Sequence, residues 1–219
     1  MRSKQPLEPE GDAETKLLAA AEIMFAEKGH EKASLRELTS LAGVNLAAVN
    51  YHFGSKDGLV TAVFDGLSRR VNRARVKELD QYVKERAQAD GTLELRDILT
   101  IFARPYLDDS ADHGGLLLAR LILQHRLAPS DLSKRIIRQH FDPMAKKFIK
   151  AMLQACPAID ATEMYWRYMF MISAVVLTVT DSSKETRVTR LSDGGVDGSD
   201  ADLLRSTLLK FLIGGVSAS

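Results

Sequence analysis

A short run of polar side chains near the N-terminus is the part of this sequence best suited to contact a polyanion. Asn50, Tyr51 and His52 offer hydrogen-bond donors and acceptors at three successive positions. Ala47 and Ala48 lie just before them and would leave one helix face low enough to enter the major groove of duplex DNA. These residue types indicate recognition of phosphates and base edges.

Two helices and a tight turn are needed to present this run, and the flanking sequence contains their signals. Ser34, with Glu37 three positions later, forms a capping box that predicts the start of a helix. Gly43 favours a turn with a positive φ, and Asn45 is a good N-cap for the next helix. Ser55 predicts the cap of a further helix. This order is typical of a helix-turn-helix, although a small helical hairpin without a nucleic-acid role has the same spacing.

The charge of this segment favours DNA only modestly. Residues 34–77 contain seven Lys and Arg against three Asp and Glu, a net charge of +4. The whole chain has 30 Lys and Arg against 29 Asp and Glu, a formal net charge of +1. Because affinity for DNA depends on neutralising phosphates, one copy should bind weakly, and a dimer would double the contacts.

The hydrophobic pattern predicts an all-α fold of about nine helices, because apolar residues recur at three- and four-residue steps and no useful strand pattern occurs. The 219 residues suffice for one or two domains. We expect a disordered tail over 1–12, a helix-turn-helix domain over 13–54, and a linking helix with a larger helical domain over 55–219. Residues 183–199 should form a loop, and Gly214-Gly215 should end the last helix at residue 213.

Several function classes find no support in the sequence. The histidines lack metal-ligand spacing, and there is neither a Gly-rich phosphate loop nor a nucleophile elbow. A single cysteine, Cys156, excludes an intramolecular disulfide. The most apolar stretch, residues 168–179, is shorter than the roughly 20 residues that span a bilayer, and the N-terminus lacks a secretory signal. We therefore expect a cytoplasmic protein that is not an enzyme and has no cofactor, metal or membrane contact.

Residues 15–64 resemble the N-terminal domain of TetR-type transcriptional regulators. The resemblance rests on a first helix ending at Gly29, then Ser34, Ala42-Gly43-Val44, Tyr51-His52-Phe53, Lys56 and Leu59. Two positions depart from the family pattern, which commonly has Gly in place of Ala47 and Tyr in place of Asn50. These departures concern which operator is recognised rather than DNA binding itself.

The resemblance implies a set of DNA-contacting residues. Arg36 would reach either a guanine edge or a phosphate, and the basic residues between 69 and 77 either cover phosphates or form a solvated face. The full set implied is Ser34, Arg36, Asn45, Leu46, Ala47, Ala48, Asn50, Tyr51, His52 and Lys56.

The resemblance also implies that the rest of the chain binds a ligand and forms a homodimer through helices 162–182 and 200–213. Arg120 would pair with a ligand carboxylate or with Asp108 or Asp109. The candidate lining residues, each of which could equally be core, are Phe102, Tyr106, Leu117, Arg120, Leu121, Gln124, Met144, Phe148, Trp166, Met169 and Phe170.

Residues 116–179 are similar to the fatty-acid-responsive branch of the family. The implied protein is a repressor that a small apolar ligand, such as a fatty acid, an acyl-coenzyme A or another metabolite, releases from a palindromic operator. The alternative is a helical module that binds a protein partner and no DNA, in which case Tyr51 and Lys56 would be dispensable.

Overall fold

The computed structural model describes residues 10–107, 114–181 and 187–218, and all regular secondary structure within them is helical. The predicted all-α fold is confirmed. In chain order the helices are α1 (Glu10–Lys28), α2 (Leu35–Ala42), α3 (Leu46–Phe53), α4 (Lys56–Gln88), α5 (Leu95–Leu107), α6 (Gly114–Leu127), α7 (Asp131–Ile136), a π-helical turn (Ile137–Phe141), α8 (Asp142–Ala155), α9 (Ala161–Thr180), α10 (Arg187–Leu191) and α11 (Ala201–Ser217).

The N-terminal unit consists of α1 to α3 packed on the first turns of α4. Its centre is formed by Leu17, Phe25, Leu38, Val49 and Leu59, each no more than 1% exposed. The first helix ends before Gly29, as predicted, and this glycine has a φ of 80°. Burial of one apolar side from each helix supplies the main stabilisation of so small a unit.

Helix α4 joins the two units and, with 33 residues, is the longest helix in the described part of the chain. Ser55 caps it by accepting a hydrogen bond from the Gly58 backbone N–H at 3.0 Å. A Cβ atom on Gly58 would lie 1.9 Å from the carbonyl oxygen of Phe53, so only glycine allows this approach to α3. Residues of α4 are buried in both units, Leu67 near the first and Leu79 in the second.

In the C-terminal unit α5, α6 and α8 pack against α4, α9 packs on those three helices, and α11 packs on α5 and α9. Phe102 lies at its centre, with the rings of Phe148 and Tyr168 edge-on at centroid distances of 5.3 and 5.8 Å. Gly115 allows α6 to approach α5 closely, because a Cβ atom there would lie 1.8 Å from the carbonyl oxygen of Pro105. The apolar residues predicted at helical spacing thus form a core around one phenylalanine.

Three predicted boundaries differ from the structure. Helix α1 begins at Glu10, inside the predicted tail, whose residues 1–9 lie outside the described residues. Helix α10 interrupts the predicted loop, because Thr189 and Ser192 accept hydrogen bonds from the following backbone. Helix α11 runs past Gly214-Gly215, because buried Val216 accepts a hydrogen bond from Arg167 on α9.

Candidate nucleic-acid interface

The predicted caps and turn between α2 and α3 are present in the structure. The Ser34 hydroxyl accepts a hydrogen bond from the Glu37 N–H at 3.1 Å, and the Glu37 carboxylate accepts one from the Ser34 N–H at 3.3 Å. Gly43 has a φ of 67°, and Asn45 Oδ1 accepts from the Ala48 N–H at 3.0 Å. The orientation of α3 is therefore set by backbone geometry and by side-chain caps on both helices.

Helix α3 has one buried side and one exposed side. Val49 is completely buried against the unit's core, whereas Tyr51 is 70% exposed. Leu46, Ala47 and Asn50 are also exposed, and Ala48 is half-buried. These side chains, with Tyr51, form a surface on a rigid helix that can enter a major groove. We call Leu46, Ala47, Asn50 and Tyr51 the α3 face.

Two predicted contact residues point towards the protein. His52 Nδ1 lies 3.8 Å from the Glu14 carboxylate, and its side chain is only 11% exposed. Lys56 Nζ donates a hydrogen bond to the Glu31 carbonyl oxygen at 3.2 Å. Both groups tie the end of α3 and the start of α4 to the α1 side of the unit. In this arrangement they position the α3 face rather than extend it.

The start of α2, the other helix of the helix-turn-helix, contributes further polar groups. Arg36 is exposed, and its guanidinium has no hydrogen bond or ion pair in the described part of the chain. Lys28 Nζ lies 2.7 Å from a Glu37 carboxylate oxygen. Hydrogen bonds from Lys28 and Ser34 lower the pKa of the Glu37 carboxyl below its usual value. Glu37 therefore pairs with Lys28 and caps α2, whereas the Arg36 guanidinium remains available to a ligand.

The basic residues between 69 and 77 do not share one environment. Arg69, Arg73 and Lys77 line a groove of about 650 Å³ between α4 and α8. Arg75 is instead only 2% exposed and belongs to the C-terminal unit's core. Neither alternative predicted for this run, phosphate contact or a solvated face, applies to Arg75. The sequence did not predict the burial of Arg75, because this residue lies in a run of basic side chains. Three of its neighbours in the chain are exposed in the structure.

The predicted ligand-lining residues separate into an inner and an outer group. Trp166 and Phe170 are 62% and 65% exposed and stack on each other at a centroid distance of 6.2 Å on the outer side of α9. They do not reach an internal pocket, because the opposite side of α9 packs on the core. Gln124 is half-buried. The inner group, all buried, comprises Phe102, Tyr106, Leu117, Leu121, Met144 and Phe148.

Arg120 does not point towards a ligand pocket. Its guanidinium donates hydrogen bonds to the carbonyl oxygens of Phe25, at 3.4 Å, and Ala26 in the last turns of α1. Carbonyl groups near a helix C-terminus attract a cation, and the Phe25 carbonyl also accepts a hydrogen bond from the Gly29 N–H at 3.0 Å. Arg120 therefore joins α6 to the N-terminal unit. Asp108 and Asp109, its other predicted partners, lie outside the described residues.

An apolar cavity of about 310 Å³ lies between α6, α8, α9 and the π-helical turn. Met144 and Met169 are the two predicted lining residues that border it. Its other walls include Phe141, Tyr168 and Ile172, with Arg126 and Asp142 among the polar lining residues. Its size and lining suit a small, mostly apolar molecule.

Metal binding, thiol reactivity and membrane crossing each require recognisable structural features. Across the described residues no group of three or more His, Cys, Asp or Glu side chains could hold a metal ion. Burial raises the pKa of the Cys156 thiol, which is the opposite of what a reactive cysteine requires. No helix in the described ranges is both long and apolar enough to cross a bilayer.

The fold is that of the two-domain helical DNA-binding regulators. Its defining features are a capped helix-turn-helix, a long connecting helix and a separate helical unit. Residues 17–63 match the family described as bacterial regulatory proteins, tetR family, and residues 100–215 match the tetracyclin repressor-like C-terminal domain. The chain belongs to the TetR family. Members of this family are transcriptional regulators rather than enzymes, and α2 and α3 form the helix-turn-helix of this chain.

Individual relatives resemble the chain over part of its length. The HTH-type transcriptional repressor Rv3405c of Mycobacterium tuberculosis is 39% identical over 71 residues, which are 32% of this chain and 38% of that protein. The HTH-type transcriptional dual regulator CecR of Shigella flexneri is 30% identical over 136 residues, 61% of this chain and 53% of that protein. The chain thus spans about half or less of the length of these relatives.

Solved structures share the whole fold at low identity. The hemolysin II transcriptional regulator HlyIIR superposes with a TM-score of 0.59 at 16% identity, covering 96% of this chain and all of that one. A TetR-family regulator from Bordetella parapertussis gives 0.60 at 19% identity, covering 91% of this chain and 93% of that one. At these identities the likeness establishes the fold alone.

Proposed function

We propose that this regulator is a cytoplasmic repressor that binds a palindromic operator as a homodimer and is released by a small, mostly apolar ligand. The observation that carries the proposal is the α3 face, where Leu46, Ala47, Asn50 and Tyr51 project from a helix whose other side is buried. Arg36 and the N-terminal end of α2 at Ser34 stand beside it as candidate phosphate or base contacts. Repression is supported by the function named for the mycobacterial relative.

The proposed dimer surface lies on α9 and α11, which pack against each other. Their outer sides expose large apolar residues that a monomer would leave in water. We call this set the α9–α11 face; its members are Tyr165, Trp166, Met169, Phe170, Leu177, Leu203 and Phe211, each more than 40% exposed. Two copies joined by a twofold axis would bury the same residues on both subunits.

Ligand responsiveness is supported by the cavity beside α9 and by the helix contacts that connect this cavity's walls to the α3 face. Helix α4 contacts α8 and α5 in one unit and α3 in the other. A palindromic site requires the two recognition helices of the dimer to lie about one helical repeat of DNA apart, or a multiple of it. A ligand that favours one position of α4 would change this spacing.

The α3 face is tested by selecting bound fragments from genomic DNA of the source organism at about 0.15 M salt, where specific binding survives screening. We expect the wild type and a Leu127→Ala control to enrich one palindromic site, because Leu127 is 77% exposed and lies outside the proposed interfaces. Tyr51→Ala should enrich none while keeping its melting temperature, because Tyr51 is largely exposed and surface substitutions rarely destabilise.

Two outcomes of this selection would contradict the proposed function. Enrichment of the same site by Tyr51→Ala would remove the α3 face from recognition. Failure of the folded, ligand-stripped wild type to enrich any site would contradict operator binding and favour a helical module that binds a protein partner.

A further inference from the structure

The groove between α4 and α8 has an excess of positive charge. Its volume of about 650 Å³ is lined by the basic side chains Arg69, Arg73, Lys77, Lys84, His140 and Lys147. Among the described lining residues only Asp80 supplies a carboxylate, and Lys147 Nζ holds its two oxygens at 2.5 and 2.8 Å. His140 Nε2 lies 2.9 Å from the Asp65 carboxylate on α4. The other four basic side chains line the groove without a counter-charge.

These four residues, which we call the cation row, follow one side of α4. Arg69, Arg73 and Lys77 are one helical turn apart, and Lys84 follows two turns later. All four are exposed, and no side-chain hydrogen bond or ion pair engages them within the described ranges. Like charges one turn apart destabilise a helix. Because the whole chain has a net charge of only +1, the row is a local feature, and an anion bound along it would relieve the repulsion.

The rest of the groove offers room and contacts for more than a counter-ion. Val76, Pro143 and Met144 add apolar surface, and Gln139 adds an exposed amide. The volume lies within the range of roughly 300–1,000 Å³ that small-molecule sites occupy. Met144 also borders the apolar cavity of about 310 Å³. The two spaces therefore adjoin but differ in chemistry, one lined by cations and the other mainly by apolar side chains.

The cation row lies away from the DNA-facing end of α4. A helix rises about 1.5 Å per residue, which places the row about 20–42 Å along the axis from Lys56. Helix α3 packs at the start of α4, where Gly58 approaches Phe53. Phosphates of a duplex seated on the α3 face would therefore be remote from most of the row. This position favours a free small anion over the DNA backbone.

We propose that the cation row binds the phosphate chain of an oligophosphate, inorganic or carried by a nucleotide, in the groove between α4 and α8. A chain of phosphates concentrates several negative charges in a small volume, and arginine forks and lysine ammonium groups are suited to bind it. A single carboxylate would neutralise just one of the four cations. This site is separate from the cavity for an apolar ligand and goes beyond the proposed function.

The test is calorimetric titration of the full chain, without DNA or divalent cations, at about 0.15 M salt, where charges more than about 8 Å apart are largely screened. The probes are inorganic triphosphate, ATP and AMP. We expect triphosphate and ATP to bind the wild type about tenfold or more tightly than AMP, because AMP offers one phosphate to the row. Tighter binding of ATP than of triphosphate would identify a nucleotide, and equal binding would identify the phosphate chain alone.

The decisive variant combines Arg73→Gln with Lys77→Gln. It should bind triphosphate about tenfold or more weakly than the wild type. Its melting temperature without ligand should not fall, because both side chains are exposed and repel each other. The matched control combines Arg96→Gln with Arg190→Gln, which removes two positive charges from exposed residues of α5 and α10. This control should bind triphosphate as the wild type does.

Three results would overturn the proposal: triphosphate binds no more tightly than AMP, the groove variant keeps its triphosphate affinity, or both double variants lose affinity equally. If the groove variant keeps triphosphate affinity but binds unrelated duplex DNA more weakly, the groove is a DNA contact instead. Circular dichroism checks folding, and Arg69→Gln replaces a double variant that does not fold. Because the titrations contain no DNA, failure here is distinct from failure of operator binding.

Discussion

Arg36 and Arg75 show how strongly surroundings decide the role of a residue type. Arg36 is exposed at the start of α2, and no described group occupies its guanidinium. Arg75 is buried between aromatic rings with one donor unsatisfied. The first is free to contact a phosphate or a base edge, whereas the second is held in the core by the Phe102 carbonyl and the Asn72 side chain. Nothing in the two residues' own identity distinguishes these roles.

Arg36→Ala should weaken operator binding, because an unpaired guanidinium beside the α3 face would lose its DNA contact. If that contact is a phosphate, the slope of log affinity against log salt should become shallower by about 0.9 per lost contact. If it is a guanine edge, the slope should stay and discrimination against a changed base should fall by about 1–3 kcal/mol. Fluorescence anisotropy over a salt series separates these outcomes.

The matched control for this prediction is Arg138→Ala, because Arg138 is also an exposed arginine but belongs to the π-helical turn of the other unit. Its operator affinity should equal that of the wild type. Unchanged affinity in Arg36→Ala itself would exclude Arg36 from the interface.

At the scale of elements, α9 is apolar on more sides than the core of one subunit can cover. Met164, Met171 and Val175 are buried inside the C-terminal unit, whereas Trp166 and Phe170 are exposed on the outer side. The family resemblance implied that residues 162–182 take part in a homodimer, and this exposed apolar side suits that expectation. The sequence did not reveal that these two aromatics, which we expected to line a ligand pocket, face outward, because a helix that is apolar all round does not indicate which side faces inward.

Phe170→Asp should shift the protein from dimer to monomer. A twofold interface would bury the introduced carboxylate twice, and the loss at such an aromatic anchor is typically 2 kcal/mol or more, about thirtyfold in the dissociation constant. Analytical ultracentrifugation measures the shift. Leu127→Asp changes an equally exposed apolar residue outside the α9–α11 face and should remain dimeric; a dimeric Phe170→Asp would place the interface elsewhere.

At the scale of the whole molecule, polar contacts as well as α4 join the two units. Arg120 on α6 binds carbonyl groups near the end of α1, and His140 of the π-helical turn lies 2.9 Å from the Asp65 carboxylate on α4. These contacts tie helices of the C-terminal unit to the elements that carry the α3 face. They offer a physical route by which a change in one unit can reach the other.

Arg120→Met should lower the free energy of unfolding by about 1–3 kcal/mol, because it leaves carbonyl groups of α1 without their charged donor. Amide hydrogen exchange should increase in the last turn of α1. Chemical denaturation and exchange measured by mass spectrometry check both effects. Arg138→Met serves as the control and should change neither; a wild-type exchange pattern in Arg120→Met would show that this contact does not hold the units together.

The sequence by itself determined the helix-turn-helix, because its signals act over a few residues. Ser34 with Glu37, Gly43 and Asn45 cap or turn the backbone through neighbours three or four positions away, and Val49 shows the buried side of α3. Only the tertiary structure decided where Arg75 and Arg120 lie and which groups they bind. Arg75 donates to Phe102, 27 positions away, and Arg120 to Phe25, 95 positions away. Burial and pairing of a charge depend on which distant helices pack around it, and that information is not present in local spacing.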